Sequence, residues 1–133
     1  MADERIPITK PFFGEEELRA VQLPLESGWV VQGPYVDSFE TKFAAYTGAP
    51  HAVATSSCTT ALQTAVAALD LGPGDEVIVP AFTWISTANV VEALGARPVF
   101  CDVDLATFNI DPGAIEPLIT ERTVGLLPVH LFG

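Results

Sequence analysis

The sequence predicts an α/β fold built on a mostly parallel sheet covered by helices. Three observations carry this: short runs rich in Val, Ile and Leu, apolar stripes at helical spacing between them, and turn residues at the junctions. Strands that alternate with helices run in one direction through right-handed crossovers, and strands covered on both faces lose the polar alternation of a half-exposed sheet.

In chain order, Glu15 to Gln22 can form one short helix, stopped by Pro24, because proline lacks an amide donor and biases Leu23 away from helical backbone. The stretch ESGWVVQGPY reads as a loop. Val36, Phe39, Phe43 and Tyr46 then recur at helical spacing up to Gly48, which predicts an amphipathic helix packed on a larger body. The order that follows is β, α, β, α, β, α, β. Its strand candidates are His51 to Thr55, Glu76 to Pro80, Pro98 to Asp102 and Thr123 to His130. Ala61, Leu62, Ala65, Val66 and Leu69 make one helical stripe, and Ile85, Ala88 and Val91 begin another. LGPGDE marks a helix-to-strand turn. The third helix, capped by Asp111 with Pro112 at its first position, is shortened by Pro117 to barely two turns.

Composition narrows the function. Six Lys plus Arg against 17 Asp plus Glu give a formal net charge of -11, which repels phosphate backbones and anionic membranes, so nucleic-acid binding is not expected. A mean hydropathy of +0.36 is high for a soluble protein. Yet no apolar run approaches the roughly 18 residues of a membrane span, so no membrane role is expected. The start, MADERIPITK, lacks an apolar core, so neither a secretory signal nor a transit peptide is expected and the location is read as cytoplasmic. Cys58 and Cys101 form no CxxC pair and are read as reduced.

TSSCTTAL, Thr55 to Leu62, concentrates hydroxyls and a thiol at a strand-to-helix turn. In a parallel α/β sheet, ligands bind outside the carboxyl ends of the strands, and unpartnered amides at the start of the following helix favour an anion. Ser57, Thr59 and Thr60 can add hydroxyl donors; the plainer alternative is a helix cap with a turn. Familiar nucleotide motifs are missing, with no GxGxxG after a strand and no GxxxxGK[ST], and no GxSxG elbow appears. CDVDLATFNID departs from a calcium loop, since Thr107 and Gly113 stand where Gly and Glu are required. Asp102 and Asp104 are therefore read as ending a strand and shaping a turn, with no metal assigned.

Several blocks in one order, GP…FE…FA.Y.G, SSCTTAL, GPGDEVIVP, TW, GARPVFCDVD, T.NID and I..RTVGLLPVHLFG, resemble the amino-terminal third of the DegT/DnrJ family of sugar aminotransferases. The resemblance runs from about Pro7 to Gly133. It implies part of the large pyridoxal-phosphate (PLP) domain of the aspartate-aminotransferase fold, incomplete in this chain. Residues 1–35 would be an amino-terminal arm, short helix and substrate-side loop, and residues 36–133 the first part of the PLP-binding domain. Family resemblance assigns Cys58, Thr59 and Thr60 to the cofactor's phosphate and Trp84 to the face of its ring, the alternative for Trp84 being a core tryptophan. Trp29 would help enclose the substrate, or equally anchor its loop. Asn89 is read as structural and His130 as a core or supporting histidine. Pro24 and Pro117 depart from the family pattern and put local helix lengths in doubt.

The resemblance implies an aminotransferase that takes nitrogen from a donor such as glutamate and delivers it to a nucleotide-linked keto sugar, working as a homodimer. That chemistry needs a lysine bound to the cofactor and a carboxylate on its ring nitrogen. Lys10 and Lys42, the two lysines of this chain, match neither the block nor the position of the family's lysine. The expectation is therefore a fragment, inactive alone, whose catalytic lysine lies in a later block. A PLP-dependent sugar dehydratase of the same family, with histidine at that position, is one alternative; a non-catalytic or regulatory remnant is the other.

Overall fold

A computed structural model describes Pro7 and residues 9–132. The chain forms two compact units, Met1–Ala54 and Thr55–Gly133.

In the first unit, helix α1 spans Glu15–Ser27 and carries Glu15, Glu16 and Glu17 in its first turn, where the helix dipole favours negative charge. The Gly14 amide donates to Glu17 Oε2 at 2.7 Å, and this bond holds the exposed Glu17 carboxyl below its ordinary range. The helix runs through Pro24, not only to Gln22 as the sequence predicts. Proline withholds a single amide, and the carbonyl it leaves, on exposed Ala20, is open to water. The last turn closes without it: Ser27 Oγ donates to the Pro24 carbonyl at 2.8 Å, and the Gly28 amide donates to the Leu25 carbonyl at 3.2 Å.

Helix α2, Pro34–Thr47, starts two positions before Val36 because Pro34 suits a first turn, and it ends at left-handed Gly48 (φ 73°). Among the described residues, most of its apolar stripe is exposed, not covered as the sequence predicts. Ala44 is buried, while Phe39, Phe43 and Tyr46 are exposed, and Phe39 and Phe43 rest on each other with ring centres 5.7 Å apart. His51 to Thr55 forms no strand. A strand exists by pairing, and among the described residues none pairs with this segment; the Ala54 amide donates instead to Glu40 Oε1 at 2.7 Å.

The second unit runs α3 (Cys58–Ala67), β1 (Glu76–Pro80), α4 (Ser86–Glu92), β2 (Arg97–Cys101) and β3 (Thr123–Leu126). The sheet order is β2-β1-β3. Its strands are parallel, as the sequence predicts. Every residue of β1 is buried. Val77 and Val79 pack with Val66 of α3, Val90 and Val91 of α4, and Ala96. Strand β2 is shifted one residue from its predicted bounds. Strand β3 stops at Leu126 and not at His130: the Leu127 amide still donates to the Ile78 carbonyl at 2.9 Å, but Pro128 has no amide with which to continue.

Glu76 ties the three strands together at their amino ends. Its side chain, 3% exposed, meets Arg97 at 3.3 Å and Arg122 at 2.9 Å, and it accepts from Thr120 Oγ1 at 2.7 Å. At the carboxyl ends, Phe82 packs on Phe108 at 5.4 Å, and Phe108 meets Phe132 edge-on at 6.1 Å. These rings, with Asn109 Oδ1 accepting from the Leu131 amide at 2.8 Å, fasten the loops after the strands to one another. The predicted third helix is reduced to two short 3-10 turns, Pro112–Ala114 and Glu116–Leu118. Asp111 caps the first by accepting from the Gly113 amide at 2.8 Å.

Asp104 shapes its turn as predicted, accepting from the amides of Thr107 at 2.9 Å and Ala106 at 3.0 Å. Those bonds, the Thr107 amide foremost, hold its carboxyl below the ordinary carboxylate range. A lowered folded-state value means the turn is stabilised above the ordinary range and loosens as pH falls through the lowered value. Amide exchange at Ala106 and Thr107 should therefore accelerate on acidification through that window, and Asp104→Asn should remove this pH dependence.

Candidate functional site

The segment after Thr55 turns into α3 through a reciprocal cap. Ser57 Oγ accepts from the Thr60 amide at 3.2 Å, the Ser57 amide donates to Thr60 Oγ1 at 3.0 Å, and Thr60 Oγ1 donates to the Ser57 carbonyl at 2.8 Å. These bonds engage the Thr60 hydroxyl and its amide in starting the helix. The Ala61 amide closes the first helical bond, to the Ser57 carbonyl at 3.0 Å. That leaves the amides of Cys58 and Thr59, on two exposed residues, without a hydrogen-bond partner among the described residues. Two open amides at the positive end of a helix can hold an anion's oxygens.

The Thr59 hydroxyl reaches across to α4, where its Oγ1 lies 2.9 Å from Oγ of Ser86. Ser86 follows Trp84 by two residues, and the Trp84 carbonyl accepts from the Thr87 amide at 3.0 Å. The start of α3 and the Trp84 turn are thus joined through one side-chain bond. Trp84 is 77% exposed, so it is not a core tryptophan in this chain. Its side chain helps line a groove of about 390 Å³ with Ala88, Asn89, Pro98 and Phe100. Asn89, read from the sequence as structural, is exposed on this groove. His130 is also exposed and lies beyond the end of β3, so it is neither a core residue nor a strand residue here.

Trp29 belongs to the first unit. Its indole Nε1 donates to the Gln32 carbonyl at 2.7 Å. It lies so close to Gly33 that a Cβ there would come within 2.0 Å of Nε1. The ring therefore staples the 28–33 loop, and only glycine admits it. Sequence reasoning missed Ser86; a hydroxyl opening a helix gives no sign of the partner that it will meet.

The two thiols differ sharply. Cys58 is exposed and Cys101 buried. Burial, and then the nearby charges of Asp111 and Asp102, push the Cys101 thiol up from its ordinary value. Because the unfolded chain ionises this thiol first, stability falls as pH rises from the ordinary thiol range toward the raised value. With an alkylating reagent near neutral pH, Cys58 should react at once and Cys101 only as fast as the protein opens, which peptide mass analysis resolves.

The model of the DegT/DnrJ/EryC1/StrS aminotransferase family matches residues 11–133. The chain belongs to this family. The spore coat polysaccharide biosynthesis protein SpsC of Bacillus subtilis is 50% identical over 128 residues, covering 96% of this chain and 33% of that protein. The UDP-4-amino-4-deoxy-L-arabinose–oxoglutarate aminotransferase of Shewanella sediminis is 45% identical over 133 residues, covering 100% and 34%. Among solved structures, the E. coli GDP-4-keto-6-deoxy-D-mannose-3-dehydratase with bound hydrated PLP superposes with a TM-score of 0.89 at 36% identity, covering 97% of this chain and 35% of that one. The family member described here thus spans about a third of the length of these relatives. Its parallel α/β unit is the corresponding part of their fold.

Proposed function

We propose that these residues form the phosphate- and ring-binding part of a PLP-dependent aminotransferase acting on a nucleotide-linked keto sugar. The observation that carries the reading is the pair of open amides on Cys58 and Thr59 at the start of α3, joined to the Trp84 turn, in a chain of a sugar aminotransferase family. The site fits the cofactor in kind. A phosphate is an anion for the two amides and the Thr59 hydroxyl, and an exposed indole is a flat surface for a pyridine ring.

Pyridoxal phosphate, when bound, takes up the electron pair released at the carbon bearing the amine and so lets nitrogen pass from a donor such as glutamate to a keto sugar. Cys58 and Thr59 would hold the phosphate through their amides, and Thr60 would keep the helix start in shape through its cap. Trp84 would fix the tilt of the ring; offset stacking contributes about 0.5–1.5 kcal/mol beyond burial. Residues 1–35 would serve as arm and substrate-side loop, with Trp29 helping to enclose the sugar nucleotide, and residues 36–133 as the first part of the cofactor domain. Lys10 and Lys42 both lie in the first unit, outside the unit that carries the phosphate-binding turn. We assign the catalytic lysine to a part of the protein outside residues 1–133, without which these residues do not transaminate. The exposed rings of Phe39 and Phe43 on the first unit fit a surface covered in a homodimer of the whole enzyme.

The same fold in the E. coli dehydratase favours a second reading, a PLP-dependent sugar dehydratase, which differs in having histidine in place of that lysine. The test is amino transfer from glutamate to keto sugar nucleotides by the complete protein, followed together with cofactor absorbance. Cofactor-dependent transfer supports the first reading. Cofactor-dependent loss of a sugar hydroxyl supports the second, and no cofactor absorbance under any condition overturns both.

A further inference from the structure

We infer that Ser86 is a positioning residue for the phosphate end of the cofactor, acting by setting the direction of the Thr59 hydroxyl. The inference rests on the phosphate reading of the α3 turn. Thr59 and Ser86 lie 27 positions apart, and their hydroxyl oxygens stand 2.9 Å from each other. Ser86 is 8% exposed, whereas Thr59 is exposed.

That difference decides the direction of the bond. Each hydroxyl has one proton to give, and a buried hydroxyl gives it to the acceptor within its reach, whereas an exposed one can give it to water. Among the described residues, Thr59 Oγ1 is the hydrogen-bond partner within reach of Ser86 Oγ. If Thr59 were the donor, the Ser86 proton would be stranded in a nearly dry place. With Ser86 as donor, both requirements are met: Ser86 is satisfied, and the Thr59 proton is left for the solvent side, where the open amides of Cys58 and Thr59 lie. The other hydroxyls of the turn are engaged within it: those of Ser57 and Thr60 meet in the cap, Thr55 Oγ1 donates to the Ser57 carbonyl at 3.0 Å, and Ser56 Oγ lies 3.4 Å from Thr60 Oγ1. An anion on the amides then receives a third donor already aimed at it. A donor chain from Ser86 to Thr59 to the anion is strengthened along its length. Alanine at position 86 would leave the Thr59 hydroxyl to swing, and ordering it would fall to the ligand.

The test compares two ligands on the complete protein freed of cofactor: pyridoxal phosphate, and pyridoxal, which lacks the phosphate. Ser86→Ala should weaken pyridoxal phosphate about three- to tenfold and leave pyridoxal unchanged. Thr59→Val should weaken it at least as much, and adding Ser86→Ala to Thr59→Val should cost nothing more, because the Ser86 effect passes through Thr59. Ser86→Cys, similar in volume but a weaker donor, should fall between wild type and alanine and keeps the test available if the alanine variant folds poorly. Equal losses for both ligands would mean that Ser86 only supports the fold, and would overturn the inference. An unchanged Ser86→Ala affinity, in a protein that still prefers the phosphorylated ligand, would overturn the inference and leave the phosphate reading standing. A wild-type protein with no preference for the phosphorylated ligand would overturn the phosphate reading, and the inference with it.

Discussion

Replacing both Arg97 and Arg122 by alanine should lower stability by about 3–5 kcal/mol, because it leaves the Glu76 carboxylate buried without a countercharge. The asymmetry of this cluster makes the prediction specific. Glu76 is 3% exposed, while the side chains of Arg97 and Arg122 are 69% and 61% exposed. The arginines can return to water when Glu76 is removed, but Glu76 cannot return when they are. Glu76→Gln should accordingly cost less, about 1–3 kcal/mol, since the main loss is strengthened hydrogen bonding to a group that is now neutral. Urea unfolding of the two variants beside wild type measures the order. A Glu76→Gln variant less stable than the double arginine variant would contradict the placement of the buried charge.

Cys58→Asp should weaken binding of pyridoxal phosphate by two to three orders of magnitude while slightly stabilising the apoprotein. The two effects have opposite signs for one physical reason. A carboxylate in the first turn of α3 complements the helix dipole and contributes about 0.3–1 kcal/mol to the free protein. The same carboxylate opposes a phosphate. Two like charges about 4 Å apart at an effective dielectric of 20 repel by about 4 kcal/mol, close to a thousandfold in affinity. Thermal unfolding of the apoprotein and a cofactor titration give the two numbers. Loss of both stability and binding would indicate simple damage to the turn; unchanged binding would remove the phosphate from this place.

Much of this was legible in the sequence, and each miss has its own physical cause. Strand β1 was readable in full because EVIVP is buried on both faces, which a run of valine and isoleucine announces. The end of α2 was equally plain, since Gly48 can take the left-handed conformation that stops a helix. His51 to Thr55 looked like a strand by composition, but pairing depends on a partner that local composition cannot name. Pro24 does not end α1, because it costs one hydrogen bond and an exposed helix end can give that bond to water. Pro128, visible in the sequence, withholds the amide that would carry β3 further. The hydroxyl cluster of TSSCTTAL was legible as a capped helix start at a turn. Its division of labour was not, because Ser57 and Thr60 satisfy each other locally while Thr59 bonds to a serine 27 positions away.

The central claim is that the start of α3 holds the phosphate of pyridoxal phosphate. A crystal structure of the complete protein with pyridoxal phosphate tests it most directly. The account predicts phosphate oxygens within hydrogen-bond distance of the Cys58 and Thr59 amides and the Thr59 hydroxyl, with the Trp84 indole against the pyridine ring. A cofactor bound with its phosphate elsewhere, and those two amides still open to solvent, would contradict it.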